Sequence, residues 1–228
     1  MTSLPPRKTM ATNLAIRVAL VACGVAVNPV TAQAAEPLVF APKDIIEWDK
    51  HSFSGYTDYE LSETPTGEPA VYASCEQGTA SGLFLREAID LTKTPIVEWR
   101  WRVREGIEGN NEQSKSGDDY PARIYAVDEH KLLVWRTRAI NYVWSSQQQQ
   151  GSTWDNAYAS QATMVALRGA DDFSDDWRIE RRNIREDFKR LHDRDLTELS
   201  AFAIMTDCDN TKQKVSAWYG EIRFLPEE

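Results

Sequence analysis

The sequence predicts an all-β protein, a two-sheet antiparallel sandwich or jelly roll with one short helix. Three observations carry that prediction. Through residues 96–103 apolar and polar residues alternate strictly: Val97, Trp99, Trp101 and Val103 share one face, and Glu98, Arg100 and Arg102 share the other. Period-two alternation marks a strand with one buried face. Turn-forming clusters separate further short apolar runs along the chain, the spacing of a sandwich or barrel. Only residues 183–192 show convincing helical periodicity.

The chain begins with a basic segment, Arg7, Lys8 and Arg17, then an apolar run at 18–27, then Ala32-Gln33-Ala34. That is the order of an export signal with its small-x-small cleavage pattern. Residues 1–34 are therefore expected to be a signal peptide, cut before Ala35. The apolar run is far short of the roughly 20 residues a membrane span needs. Leu20-Val21-Ala22-Cys23 also has the form of a lipoprotein box, so lipidation at Cys23 stays open beside simple cleavage. Export places the protein in the periplasm or outside the cell.

Removal of 34 of the 228 residues leaves 194, enough for a single β-sandwich domain over 35–228. The removed part holds three bases and no acid, so the remainder carries 23 bases against 35 acids, a net charge of −12. Nucleic-acid binding needs a basic footprint and is excluded on this count. Two cysteines remain, Cys75 and Cys208. An oxidising compartment permits a bond between them, and two separate buried thiols are the alternative.

Each element is read from its residues. Residues 44–51 form an early strand or turn with Trp48 packed inward. Residues 53–61 alternate aromatic and polar side chains and read as strand. Residues 64–69, rich in Pro, Thr and Gly, form a loop. Residues 70–76 and 81–87 are strands, and 96–103 follows. Residues 105–117 are polar and without periodicity, a long loop of the kind that carries function at sheet ends. Strands are expected at 123–127, 131–136 and 139–145, then a surface loop from the four glutamines at 147–150 to about residue 159. Strands at 163–168 and 177–182 flank an acidic turn. In the helix, Ile184, Phe188 and Leu191 share a face, Asn183 can cap the start, and Glu186 and Asp187 suit the first turn. Strands at 199–205 and 216–225 complete the fold.

No local catalytic template is present: no nucleophile elbow, no zinc-protease motif, no phosphate loop and no dinucleotide fingerprint. Two acidic clusters, Gly117-Asp118-Asp119-Tyr120 and Asp207-Cys208-Asp209-Asn210, fall at ends of apolar strands. Turn chemistry explains such residues, and oxygen ligation of calcium by Asp207 and Asp209 is an alternative. Asp118, Asp119 and Asp207 are also the carboxylates a glycoside hydrolase or lyase would use as acid and base. Arg100 and Arg102 can either pair with charges on neighbouring strands, among them Glu221, Arg223, Arg178, Glu180 and Arg182, or bind an anionic small molecule. Trp99, Trp101 and Trp218 are expected in the core. Trp135, Trp144, Trp154, Tyr158 and Tyr219 are candidates for stacking against a sugar.

Several segments together resemble a bacterial exported family, domain of unknown function 3047. They are Ala80-Ser81-Gly82-Leu83, Glu98-Trp99-Arg100-Trp101-Arg102-Val103, Gly117-Asp118-Asp119-Tyr120-Pro121-Ala122-Arg123, Asn141-Tyr142-Val143-Trp144, Arg182-Asn183-Ile184-Arg185-Glu186-Asp187-Phe188, Ile204-Met205-Thr206-Asp207 with Asp209-Asn210-Thr211, and Tyr219-Gly220-Glu221-Ile222-Arg223-Phe224. The resemblance implies an exported β-sandwich and no particular activity. It implies a small polar residue at the position of Cys208, which tells against a disulfide. It also groups the arginine strand with the two acidic segments.

The expected function is binding of a saccharide or cell-envelope glycan without cleavage, through Arg100, Arg102, Asp119, Arg123, Trp144, Asp209 and Asn210. A polysaccharide hydrolase or lyase on the same fold, and a structural envelope protein with no small ligand, are the alternatives.

Overall fold

The computed structural model describes residues 1–3, 35–130 and 132–227. The expected export signal and Cys23 lie outside the described residues. Ala34–Glu228 form one compact unit.

The chain runs β1 (Leu38–Phe40), α1 (Pro42–Ile45), β2 (Asp49–Ser54), β3 (Asp58–Glu63), β4 (Pro69–Cys75), β5 (Ala80–Leu85), β6 (Ile89–Asp90) and β7 (Ile96–Arg102). It continues through β8 (Ala122–Asp128), β9 (Arg138–Trp144), β10 (Thr153–Asp155), β11 (Ala162–Arg168), β12 (Arg178–Asn183), α2 (Ile184–His192), β13 (Glu198–Leu199), β14 (Ala201–Asp207) and β15 (Val215–Leu225). One sheet has the order β12-β7-β15-β4-β3, with β1 added on β15. The other has the order β10-β11-β9-β8-β14-β5-β2, and β13-β6 form a small separate ladder. The protein is a β-sandwich, as the alternation pattern predicts.

The two inner faces meet in one apolar core. Val97, Trp99 and Trp101 of β7 face Ile140, Tyr142 and Trp144 of β9, all buried. Trp99 lies 5.6 Å from Tyr142, and Trp101 5.7 Å from Trp144. Aromatic rings supply much of the apolar area here, and tilted or edge contacts are the arrangement their quadrupoles favour. In α2, Ile184 and Phe188 are buried and Leu191 packs against the core, while the Asn183 side chain accepts the Glu186 N–H at 3.1 Å. Both the buried face and the cap match the sequence reading.

Four local expectations change. Residues 53–61 are not one strand: Gly55, at φ +65°, ends β2, and β3 begins at Asp58 in the other sheet. A positive φ is a conformation glycine adopts without strain. Residues 132–136 form no strand; a 3-10 turn at Val134–Arg136 leaves Leu132, Val134 and Trp135 exposed in the β8–β9 connection. Residues 147–159 are not wholly loop, because β10 pairs antiparallel with β11. They also form a crossover, since β9 and β11 are parallel, whereas every other described ladder is antiparallel. Finally, Cys75 and Cys208 form a disulfide, with their Cα atoms 6.0 Å apart. It joins the end of β4 in one sheet to the residue after β14 in the other.

The arginine face of β7 is neutralised by neighbours. Glu98 pairs with Arg223 of β15 and, at 3.5 Å, with Arg181 of β12. Arg100 reaches Glu68 at 2.8 Å and lies 4.7 Å from the Trp177 ring. Gly220 permits that path, because a Cβ there would stand 2.4 Å from Arg100 Cγ. Arg102 stacks 4.8 Å from Trp218 and bonds Asp175. The register differs from the expected pairing at β12. Ile179 and Arg181 stand opposite Arg100 and Glu98, so Arg178, Glu180 and Arg182 turn to the inner side. There Glu180 accepts Trp101 Nε1 at 3.1 Å and Arg168 Nε at 2.6 Å, and Arg182 binds Asp187. β12 is an edge strand, and inward charges are one device that protects an edge from pairing with another chain.

Candidate functional site

Alternation in the seven-stranded sheet sends one set of side chains away from the core. Ile124, Tyr142 and Ile204 point inward, so Arg123 and Tyr125 of β8, Asn141 of β9, and Met205 and Asp207 of β14 lie on the outward face. A cavity of about 410 Å³ sits on that face, lined by these residues and by Asp118, Asp209 and Asn210 from the strand ends. Phe53, Asn156 and Tyr158 wall it.

Arg123 organises the charged end. Its Nη2 donates to Asp207 Oδ2 at 2.8 Å and to the Asp118 carbonyl at 3.0 Å, and its Nη1 donates to the Tyr125 hydroxyl at 2.9 Å. The guanidinium also lies 4.4 Å from the Tyr120 ring. Arg123 and Asp207 are 3% and 2% exposed, so this ion pair is effectively dry. The Tyr120 N–H donates to the other Asp207 oxygen at 3.2 Å. Burial raises the proton affinity of Asp207 and Asp118; Arg123 opposes this in both, and the Asp119 carboxylate adds to it. Burial, then Asp119, likewise raises Asp209.

Asp119 stands behind the cavity as an anchor. Its two oxygens accept the Asn210 N–H at 3.1 Å, the Asn210 side-chain amide at 2.9 Å and the Thr211 N–H at 2.5 Å. It thereby fixes the 209–211 turn on which Asp209 and Asn210 reach the cavity. Asp119, Asp207 and Asp209 bring one oxygen each within 4.8 Å of one another, an arrangement a divalent cation such as calcium can use. Protein donors already engage both oxygens of Asp119 and of Asp207.

The remaining wall is aromatic and amide. Phe53 is 56% exposed and stacks on Tyr125 at 6.4 Å with 16° between the planes. Tyr158, also more than half exposed, bonds Asn210 through its hydroxyl. Asn156 donates to Asp118 Oδ2 at 2.8 Å. Two acceptors of the lining have no protein partner: Asp118 Oδ1 and Asn141 Oδ1. Asn141 is 1% exposed, and its amide sits between Tyr125 and Met164 in the ladders.

Of the candidates read from sequence, Asp118, Arg123, Asp207, Asp209 and Asn210 therefore share one cavity, with Asp119 behind it. Arg100 and Arg102 do not join them; they belong to the outer face of the other sheet, spent on Glu68 and Asp175. Trp144 does not join them either. It is fully buried between Trp101 and Phe173, because position 144 continues the inward set of β9. Trp154 packs on a small cluster with Tyr120 and Met164, and Tyr219 is core, donating to the Met205 carbonyl at 2.5 Å. Sequence alone does not mark Asn141, Asn156, Phe53 or Tyr125 as site residues. Asn141 carried a signal: it is the one polar residue in the otherwise apolar run 139–144, apart from the tyrosine hydroxyl.

The protein is thus a β-sandwich with an outward-facing cleft on one sheet, aromatic walls and buried polar groups at the end of that cleft. The chain belongs to the family described as protein of unknown function (DUF3047), whose model matches residues 46–223. No curated protein matches the chain. Among solved structures, a family 30 carbohydrate-binding module of a Clostridium thermocellum cellulosomal cellulase is similar at 14% identity and a TM-score of 0.43, over 86% of this chain and 96% of that one. The xylan-binding module CBM86 from Roseburia intestinalis is similar at 13% identity and 0.36, over 84% and 96%. The glycoside hydrolase domain of Endo-D from Streptococcus pneumoniae R6 is similar at 11% identity and 0.42, over 79% of this chain but only 22% of its own. These likenesses are of architecture, and no ligand follows from them.

Among the described residues no helix is long and apolar enough to cross a membrane.

Proposed function

We propose that the protein is an exported, non-catalytic saccharide-binding β-sandwich of the periplasm or cell exterior, and that its site is the cleft on the seven-stranded sheet. The observation that carries the reading is the Asn141 side chain. An amide buried to 1% exposure, with its oxygen unpaired, lines a cavity walled by Phe53, Tyr125 and Tyr158. A buried unsatisfied polar group costs about 1–3 kcal/mol, and a ligand hydroxyl in the cavity removes that cost. Aromatic faces supply stacking area for a sugar ring, and a few fixed polar groups orient it. Binding is favoured over cleavage because Asp207 is committed to Arg123 and the Tyr120 N–H, and Asp119 to the 209–211 turn. Hydrolysis by paired carboxylates needs two that are free to face one bond.

Calorimetric titration against a panel of soluble cell-envelope saccharides tests this. At least one should bind, and Asn141→Ala and Tyr125→Ala should each weaken it by about 5- to 150-fold, the range that 1–3 kcal/mol gives. No binding across the panel, or full affinity in both variants, would remove the proposal. One observation favours a hydrolase instead: Asp118 has a free oxygen and a raised proton affinity, as a general acid needs. Turnover of a polysaccharide that disappears in Asp118→Asn would replace the binding reading.

Export makes a separate prediction. The intact mass of protein from the native host should correspond to a chain beginning at Ala35. Retention of residues 1–34, or a lipid-modified Cys23 at the new N-terminus, would contradict it.

A further inference from the structure

We infer that the cleft selects saccharides bearing a free, protonated amine, which it holds against Asp118. The inference rests on the saccharide-binding reading and adds the chemical class of the ligand.

The first argument is the sign of the hydrogen-bonding groups that are left over. Arg123 Nε is the one unpartnered donor of the lining; the two unpartnered oxygens, Asp118 Oδ1 and Asn141 Oδ1, are acceptors on residues buried to 4% and 1% exposure. They call for donors. A hydroxyl brings one and an ammonium brings three with no lone pair to satisfy. An ammonium also brings a positive charge into hydrogen-bonding contact with a buried carboxylate whose ion-pair partner, Arg123, stands 4.0 Å away.

The second argument is the charge balance. Three carboxylates line the cavity, those of Asp118, Asp207 and Asp209, against the single guanidinium of Arg123. That guanidinium already commits three of its five N–H groups to Asp207, the Asp118 carbonyl and the Tyr125 hydroxyl, and its Nε is without a partner. Asp118 Oδ1 lies 4.0 Å from it, beyond hydrogen-bonding distance. Two lysines approach from outside the lining, Lys115 against the Tyr158 ring and Lys212 near Asp209. A uronic acid or phosphate would enter this excess of negative charge with Arg123 the one cation among the described lining residues. Asn156 holds the other oxygen of Asp118 at 2.8 Å, so the free oxygen is fixed in orientation before any ligand arrives.

The test uses the mature protein and three sets of oligosaccharides of equal length: glucosamine oligomers, their N-acetylated forms, and uronic-acid oligomers. The amine form should bind about tenfold or more tightly than the acetylated form, and the uronate form should bind weakest. Asp118→Asn should bring amine and acetylated affinities to within about twofold by weakening only the amine. Asn at 118 keeps an oxygen for Asn156, and the fold is checked by circular dichroism; should that variant not fold, Asp209→Asn should shrink the same preference. If the wild-type protein binds the acetylated or uronate forms as tightly as the amine, the amine selection is wrong and saccharide binding stands. If no form binds in any panel, saccharide binding itself is wrong. A preference for amine that survives Asp118→Asn undiminished would overturn the assignment to Asp118.

Discussion

Asp207→Ala is expected to destabilise the fold by about 3–5 kcal/mol, the cost of breaking a buried ion pair from one side. Arg123 is 3% exposed and cannot shed its charge, so without Asp207 it is left buried with no carboxylate in hydrogen-bonding contact. The Tyr120 N–H loses its acceptor in the same substitution. Replacing both partners, as in Asp207→Ala with Arg123→Met, should be less damaging than the single change, because no buried guanidinium is stranded and Asp118, which loses its ion-pair partner, can take up a proton. Urea denaturation of the two variants decides the matter. A loss below about 1 kcal/mol in the single variant would mean that the pair is hydrated in solution. Arg100 is the useful contrast. It and its partner Glu68 are 29% and 38% exposed, and Arg100→Ala should cost about 0–1 kcal/mol through the lost ion pair, plus whatever its packing on Trp177 contributes.

The second large effect belongs to the disulfide. Replacing Cys75 and Cys208 together by serine should cost about 2–5 kcal/mol. The bond closes a loop with a sequence separation of 133, so it removes much of the freedom of the unfolded chain. A serine at 75 keeps Thr79 within reach, since Thr79 already lies 3.2 Å from the Cys75 sulfur. For a chain of this size the loss corresponds to a melting temperature lower by about 2–4 °C per kcal/mol. Thermal melts of the double variant and the parent, both as mature protein, check it. Equal melting temperatures would show that the bond does not form in the native molecule.

What the sequence makes legible follows from locality. The buried face of β7, the helix cap and the apolar face of α2 depend on alternation or on 3.6-residue spacing, and all are readable. The charged site is half readable. Asp118, Asp119, Asp207, Asp209 and Arg123 stand out because acids gather at the ends of two apolar runs, and the structure brings those runs side by side. Their division of labour is not readable. Whether Asp119 faces a ligand or ties down a turn depends on the Asn210 and Thr211 N–H groups, which lie about 90 positions away in sequence. Asp187 is a similar case. It reads as an acid suited to a helix start, yet it is buried and accepts from Arg182, Arg190 and the Tyr142 hydroxyl. Arg100 and Arg102 look like a site because charge in mid-sheet is unusual; Glu68 and Asp175, which satisfy them, come from loops that no strand pattern announces. The disulfide runs against the expectation taken from the family resemblance, because contact between Cys75 and Cys208 is set by how the two sheets stack. Trp144 and β12 show the remaining weakness. A shift of one residue in register exchanges the two faces of a strand, and sequence gives no independent mark of which face is which.

The parallel pairing of β9 and β11 gives the cleft two walls of unequal stiffness. Arg123, Tyr125, Asn141 and Asp207 stand on strands flanked by neighbours on both sides. Asn156 and Tyr158 hang from the crossover, beside a three-residue edge ladder. Segments with few buried contacts open at lower free energy than a core strand. Here the crossover meets the sheet wall through the bonds of Asn156 to Asp118 and of Tyr158 to the Lys115 carbonyl, so opening that side of the cleft requires those contacts to break while the core strands stay paired.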